Sequence, residues 1–378
     1  MPFRGTSVMD HKQEFVRLAS LEGANVSLLC QRFGIGRTCG YKLLKRFLLE
    51  GDAGLEERSR KPLASPMRSA AAAEAAVVAL RQRHPAWGGR KISKRLEGEH
   101  DVAASTVTGI LRRHGMELGR FGGGAKAFTR FEHKAPNDLW QMDFKGHVPM
   151  REGRLHPLTV LDDHSRYSLV IGACDCEVTE TVQAHLIKVF RRYGLPNRMA
   201  MDNGAPWGDR GGQPFTRLTV WLIEAGIGIS HSRPLHPQTL GKDERFHRSL
   251  KAELLEGRIF EDLGKAQTAL DDWRRVYNHE RPHEGIGMAV PVSRYSPSPR
   301  SYTEVPSVFE YAQGDIVRQV LQKGHTSLNG RHAKVPKAFQ GKTIAFRPTK
   351  TDGIFNAYFR HQFITTIDFT KKNTNATN

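Results

Sequence analysis

Three carboxylates in the middle of the chain are placed where they could perform metal-assisted chemistry. Asp143 lies in a strand-like segment (WQMDFKG), Asp202 ends another (RMAMDNG), and Glu244 lies early in a helix-like segment (GKDERFHRSLK). A carboxylate among apolar neighbours is costly to bury without a partner. Mg²⁺ prefers oxygen ligands, and two such ions can assist both the attacking and the leaving oxygen of a phosphodiester displacement. The three residues predict a site for Mg²⁺ or Mn²⁺ if their elements converge.

Each of the three also has a plain structural interpretation, as an edge-strand charge, a turn residue or a solvated helix residue. Asp162 and Asp163 are rival carboxylates at a strand end, which we interpret as structural or supporting. Asp243 is expected to point to a different part of the helix from Glu244. The combination of positions, rather than any one residue, favours the metal site.

The elements that must position these side chains form a mixed α/β pattern between residues 136 and 296. Alternating and apolar runs predict three strands, then helix, strand, helix, strand and two long helices. The second-last helix is expected to run from 241 to about 260 without interruption. From residue 303, short strands separated by Gly, Asn and Pro predict a small all-β barrel.

The N-terminal region predicts helices with DNA-binding character. A helix, the turn Gly34-Ile35-Gly36 and a basic helix over 37–50 make a helix-turn-helix pattern, although an ordinary helical hairpin would read the same way. In the DNA-binding interpretation, five residues of the basic helix lie near phosphates or base edges: Arg37, Thr38, Tyr41, Lys42 and Lys45. Further helical segments follow and predict a second helix-turn-helix.

The charge distribution supports a polyanionic partner. The chain has 57 Lys and Arg against 39 Asp and Glu, a net charge of +18, with +11 in residues 1–135, zero in 136–296 and +7 in 297–378. DNA, RNA and an anionic membrane surface are the candidates, and solubility alone is the alternative. No apolar run approaches the ~18 residues of a membrane span, which argues against a membrane partner. The absence of a signal-peptide pattern and of a disulfide framework among the four cysteines predicts a cytoplasmic protein.

The domain organisation predicted from these patterns has six parts. They are a helix-turn-helix domain (1–60), a second helix-turn-helix domain (61–118), a linker (119–135), a catalytic core (136–296), a small β-barrel (303–370) and a disordered tail (371–378).

Several blocks resemble the bacterial insertion-sequence DDE transposases, whose catalytic core is similar to that of retroviral integrases. The blocks are WQMDFKG, MDNGAPWG, HPQTLGKDERFHRSLKAEL (236–254) and YNHERPHEGIGMAVPVSRY (277–295). The resemblance spans roughly residues 10–300 and implies a ribonuclease-H-like fold. By position it implies that Asp143, Asp202 and Glu244 are the metal ligands. The 41 residues between Asp202 and Glu244 exceed the usual spacing, and the zinc-binding His/Cys domain of retroviral integrases has no counterpart here.

The resemblance also implies an activity and a set of DNA contacts. The expected protein binds transposon ends, cleaves them and joins the 3′-hydroxyl to target DNA, as at least a dimer on double-stranded DNA in the bacterial cytoplasm, associated with the nucleoid. A DNA-binding regulator with an inactive core and a nuclease without strand joining remain alternatives. Lys251, seven residues after Glu244, is implied to contact DNA. The other residues around the glutamate expected to contact DNA are His236, Gln238, Lys242, His247 and Arg248.

Overall fold

A computed structural model describes five stretches of the chain, which are residues 7–59, 68–117, 132–208, 214–231 and 241–370. The chain divides into two compact units, Met1–Arg68 and Ser69–Asn378. The predicted contacts His236 and Gln238 lie outside the described residues.

The first unit is a small helical domain, as the N-terminal pattern predicts. Its helices are α1 (Val8–Ala19), α2 (Val26–Arg32) and α3 (Arg37–Glu50). Gly40 of α3 lies against the core between these helices, because a Cβ at Gly40 would be only 2.2 Å from the buried Cys30 Sγ. The glycine therefore allows α3 to approach α1 and α2 closely. The core side chains are Phe15, Val16, Ala19, Cys30, Leu43 and Leu55.

The second unit begins with three more helices. They are α4 (Ala71–Arg83), α5 (Gly89–Leu96) and α6 (Ala104–Arg113). They enclose a separate core with Val77, Trp87, Ile92, Val107 and Ile110 fully or almost fully buried. This helical group belongs to the same compact unit as the α/β region, whereas the sequence predicts it as a domain of its own.

A six-stranded mixed sheet forms the centre of the second unit. Its strands are β1 (Trp140–Phe144), β2 (Val148–Pro149), β3 (Arg154–Asp162), β4 (Ser168–Cys174), β5 (Arg198–Met201) and β6 (Gly228–His231). The order of hydrogen-bonded strands across the sheet is β2-β3-β1-β5-β6, and β4 also pairs with β3. Strand β1 is antiparallel to β3 and parallel to β5. The predicted α/β layout is confirmed.

Helices cover both faces of this sheet. They are α7 (Thr179–Tyr193), α8 (Arg217–Glu224), α9 (Gly241–Leu250) and α10 (Leu263–His279). Residues of α7 and α8 pack with Trp140 and Met142 on one face, and residues of α9 and α10 pack with Leu161 on the other. Helix α9 ends at Leu250 and continues as a π-helical turn, Lys251–Leu255, so the prediction of one uninterrupted helix is wrong.

The C-terminal region is all-β, as predicted. Strands β7 (Ile316–Gln319), β10 (Thr343–Pro348), β11 (Ile354–Phe359) and β12 (Gln362–Asp368) form a four-stranded antiparallel sheet, and β8 (His325–Leu328) and β9 (Arg331–Lys334) form a hairpin. The ladders of the described strands thus form two sheets rather than one closed barrel. In the described part of the chain, no helix is both long and apolar enough to span a membrane.

Candidate active site

Asp143 reaches the site because of the alternation along β1. Trp140 and Met142 are fully buried on the α7 and α8 face, so Gln141 and Asp143 point to the opposite face. Asp143 pairs in register with Thr159 of β3, and its side chain is 30% exposed. The strand thereby presents one carboxylate beneath α9.

Asp202 lies at the end of the strand next to the one that carries Asp143. It follows β5, which runs parallel to β1, so both carboxylates occur at the carboxyl ends of neighbouring strands. Its Oδ1 accepts a hydrogen bond from the Gly204 amide at 2.9 Å, and its carbonyl oxygen is 2.7 Å from His231 Nδ1. Burial, followed by the negative charge of Asp202, raises the pKa of Asp143 to about 7. A cation between the two would relieve this repulsion.

The Glu244 side chain points to solvent and not toward Asp143, whereas the sequence predicts it as a metal ligand together with Asp143 and Asp202. Its side chain is 68% exposed, and its Oε1 accepts a hydrogen bond from Arg248 Nη2 at 3.2 Å. The α9 side chains that meet Asp143 are instead those of Asp243 and His247. The structure therefore places Asp143 and Asp202 at the carboxyl ends of neighbouring parallel strands, while the Glu244 carboxylate faces solvent.

Asp243 and His247 form a buried cluster with Asp143 and Thr159. His247 Nδ1 lies 3.9 Å from Asp143 Oδ2, and its Nε2 lies 3.8 Å from Asp243 Oδ2 and 2.8 Å from Thr159 Oγ1. Asp243 is fully buried, and burial followed by the charge of Asp143 raises its pKa well above the usual value. Burial lowers the pKa of His247 to about 3. Asp143, Asp243 and His247 each offer a ligand atom within 4.8 Å of the others.

The sequence contains a signal for this cluster. The buried residues of α9 are Asp243, Phe246, His247 and Leu250, which is the i, i+3, i+4, i+7 stripe of a helix packed on a core. Phe246 and Leu250 mark the inward face, and the same phase turns Asp243 and His247 inward. Asp243 does point away from Glu244, as expected, but the face to which it points is the one that covers Asp143.

Asp162 and Asp163 are engaged in internal contacts. Asp162 accepts hydrogen bonds from the Asn137 and Ser165 amides at 2.7 Å each. Asp163 accepts one from Gln141 Nε2 at 2.8 Å and forms an ion pair with Lys242 Nζ at 2.5 Å. These contacts fix the segment after β3 and the start of α9, as expected of structural carboxylates.

The residues predicted to contact DNA differ in exposure. All five residues of α3 are exposed, and so are Arg248 and Lys251. Lys242 is only 17% exposed because it is paired with Asp163. His247 is 8% exposed because its ring packs against Thr159 and Asp143. Lys242 and His247 are thus largely buried in this structure, and their predicted contacts with DNA stay predictions.

Comparisons with known families agree with this architecture. Residues 133–237 and 225–291 each match an integrase core domain, and residues 315–375 match the C-terminal domain of the IS481 family of transposases. Residues 11–62 match a helix-turn-helix domain, and residues 39–111 match a homeodomain-like domain.

Two curated relatives are products of bacterial insertion elements. The chain is 31% identical over 159 residues to an uncharacterized 39.2 kDa protein of element IS476 from Xanthomonas euvesicatoria. It is 25% identical over 177 residues to an uncharacterized 31.7 kDa protein of element IS407 from Burkholderia multivorans. In its integrase core and its C-terminal domain the chain is thus similar to insertion-sequence transposases. The matches to the two relatives cover 41% and 47% of this chain, and 43% and 61% of the relatives.

Solved structures with some likeness to this chain include retroviral integrases. A simian T-cell lymphotropic virus intasome in complex with PP2A regulatory subunit B56 gamma is 14% identical and covers 77% of this chain and 99% of that one, with a TM-score of 0.36. The HTLV-2 integrase catalytic core domain in complex with magnesium is 15% identical and covers 43% of this chain and 97% of that one, with a TM-score of 0.31. At these TM-scores the likeness supports no conclusion about the site.

Proposed function

We propose that this transposase binds transposon-end DNA and catalyses metal-dependent cleavage followed by transfer of the 3′-hydroxyl strand into target DNA. Asp143, Asp202 and Glu244 are the proposed ligands of Mg²⁺ or Mn²⁺. The observation that carries the proposal is that Asp143 and Asp202 occur at the carboxyl ends of the neighbouring parallel strands β1 and β5, and the negative charge of Asp202 helps to raise the pKa of Asp143.

The donor set fits hard divalent ions. Carboxylate oxygens are the protein ligands that Mg²⁺ prefers, with waters and phosphate oxygens completing its shell. Glu244 must leave Arg248 in order to join this set. Exposed ion pairs contribute only about 0–1 kcal/mol, and both side chains of this pair are more than 60% exposed. The ion pair is therefore too weak to hold Glu244 away from a bound ion.

The remaining residues position DNA. The exposed basic face of α3 supplies Arg37, Lys42 and Lys45 for phosphates and base edges of the transposon end. Arg248 and Lys251 continue from the glutamate along α9 and its π-helical turn, and are proposed to hold the phosphates next to the reacting one. When bound, the divalent ions would activate the attacking oxygen and stabilise the leaving one.

The reaction has two phosphoryl transfers. Water first attacks the phosphodiester at the transposon end, which releases a 3′-hydroxyl. That hydroxyl then attacks a phosphodiester of the target, so the new bond forms as the target strand breaks. Joining two ends to one target requires at least two copies of the protein on double-stranded DNA, which we propose as the working assembly.

End cleavage with a variant of Glu244 tests the proposal. The purified chain is incubated with Mg²⁺ and labelled duplexes taken from the DNA that flanks its coding sequence. Glu244→Gln removes the charge and keeps the shape, and we expect cleavage to fall by at least 10²-fold, since a lost ligand or electrostatic stabiliser has an effect of this size. Glu256→Gln, an exposed substitution beyond the π-helical turn, is the control and should cleave normally. Undiminished cleavage by Glu244→Gln would refute the catalytic assignment.

A further inference from the structure

We propose that the metal centre of this transposase has a nitrogen ligand, His247 Nδ1, and that Asp243 and Asp143 bind the same ion through oxygen. The inference rests on the proposed function, because it extends the ligand set of that centre. It adds two residues that the resemblance to DDE transposases does not assign.

The distances suit a shared ion. Ligand atoms about 2.1 Å from one ion lie about 3.0–4.2 Å from each other, depending on the geometry. His247 Nδ1 is 3.9 Å from Asp143 Oδ2, and Asp143, Asp243 and His247 each offer one ligand atom within 4.8 Å of the others. Asp143 supplies the route to solvent, because its side chain is 30% exposed whereas that of Asp243 is 1% exposed.

The hydrogen bonds of Thr159 determine which ring nitrogen of His247 is free. Thr159 Oγ1 lies 2.9 Å from the Asp143 carbonyl oxygen and 3.4 Å from Asp243 Oδ1, and its single hydrogen is donated to these acceptors. The hydroxyl oxygen then accepts from His247 Nε2–H at 2.8 Å. This leaves Nδ1 unprotonated and facing Asp143. Histidine ligands usually donate their other N–H to a fixed acceptor in this way, which holds the ring and its tautomer.

Asp243 supplies an independent observation. It is completely buried, and among the described residues its Oδ2 has no hydrogen-bond partner. A buried acceptor without a partner is destabilising unless another group satisfies it. A cation shared with Asp143 would satisfy it, since Asp143 and Asp243 offer ligand atoms within 4.8 Å of each other.

A mixed nitrogen and oxygen set changes the preference among metals. Carboxylates and water suit Mg²⁺ and Mn²⁺, whereas imidazole favours later divalent metals such as Co²⁺ and Zn²⁺. We therefore expect this site to bind Co²⁺ and Zn²⁺ more tightly than Mg²⁺. The preference should depend on His247.

Direct detection of the nitrogen tests the inference without DNA. The full chain is loaded with Mn²⁺ alone, and pulsed EPR measures the ¹⁴N hyperfine coupling to the ion. Coupling is expected in the unaltered protein and should vanish in His247→Gln. Calorimetry should show Co²⁺ affinity weakened by about 10–100-fold in His247→Gln, the range seen when the environment of a metal ligand is disrupted. His332→Gln, on the exposed strand β9, should change neither measurement.

His231 is the rival nitrogen, because its Nε2 is buried without a partner among the described residues and its Nδ1 contacts Asp202. Loss of coupling in His231→Gln but not in His247→Gln would overturn the assignment, as would an unaltered protein without coupling. If His247→Gln does not fold, exchange of ¹⁴N for ¹⁵N in all histidines of the unaltered chain, together with His231→Gln, answers the same question. Coupling without DNA cleavage would support His247 as a ligand and refute the proposed function. Cleavage without coupling would support the proposed function and refute His247 as a ligand.

Discussion

Breaking a buried ion pair at the π-helical turn should strongly destabilise the second unit. Glu253 Oε1 accepts from Arg281 Nε at 2.9 Å, and the two side chains are 10% and 6% exposed. Arg281 Nη2 also donates to Ser249 at 3.0 Å, and Trp273 Nε1 donates to Glu253 at 3.2 Å. The network joins the end of α9 to α10, and so it holds the helix that carries Asp243.

Glu253→Gln keeps the shape of this side chain and removes its charge. Arg281 then remains buried without a counter-ion, and breaking a buried pair in this way typically costs about 3–5 kcal/mol. Since whole domains are stable by only about 5–15 kcal/mol, the loss should be visible as a large fall in the urea midpoint. Glu280→Gln removes the partner of Arg275, whose side chain is 64% exposed, and should lose less than about 1 kcal/mol.

Tryptophan fluorescence during urea unfolding measures both variants. All five tryptophans lie in the Ser69–Asn378 unit, so the signal reports on that unit alone. Glu253→Gln/Arg281→Met should recover part of the loss, because the uncompensated charge is then absent. If Glu253→Gln were as mild as Glu280→Gln, the buried-pair reasoning would be refuted.

Three further predictions concern other parts of the molecule. Burial, followed by the charge of Arg281, lowers the pKa of Lys91 from 10.5 to about 8. Between these two pH values the unfolded chain binds more protons than the folded chain, so the free energy of unfolding should rise with pH by at most about 1.4 kcal/mol per pH unit. Urea titrations of Lys91→Met at several pH values should lack this rise. Gly40→Ala should destabilise the first unit by about 1–3 kcal/mol through the clash with Cys30. Gly109→Ala, where a Cβ would meet Arg113 Nη1 at an ordinary contact distance of 3.9 Å, should be neutral or stabilising in thermal unfolding. Lys42→Ala should lower the salt slope of DNA binding by about 1, measured by fluorescence anisotropy at several salt concentrations, and an unchanged slope would remove this residue from the interface.

The sequence predicts most elements because their periodicity is strong. The helix predicted over 37–50 is observed at the same bounds as α3, and the pattern of apolar neighbours correctly predicts Asp143 within a strand and Asp202 at a strand end. Both carboxylates lie at the same edge of the sheet because parallel strands present their carboxyl ends there.

The parts that were missed depend on tertiary packing. His247 is three residues after Glu244, and this spacing predicts that it shares the DNA-facing side of the helix. The buried positions of Phe246 and Leu250 instead show that His247 lies on the side of α9 that faces the protein interior. The change to π-helical geometry at Lys251 depends on how the chain meets α10, through contacts such as Glu253 with Trp273. Periodicity within one segment does not contain that information.

Strand joining tests the central claim most directly. A pre-cleaved transposon-end duplex with a free 3′-hydroxyl is mixed with target plasmid, Mg²⁺ and the full chain, and joined product is measured for the unaltered protein, Asp143→Asn and Asp202→Asn. The carboxylate site predicts Mg²⁺-dependent joining that both substitutions abolish while binding to the end is retained. Joining that persists in both variants, or end cleavage by the unaltered protein without any joining, would contradict it.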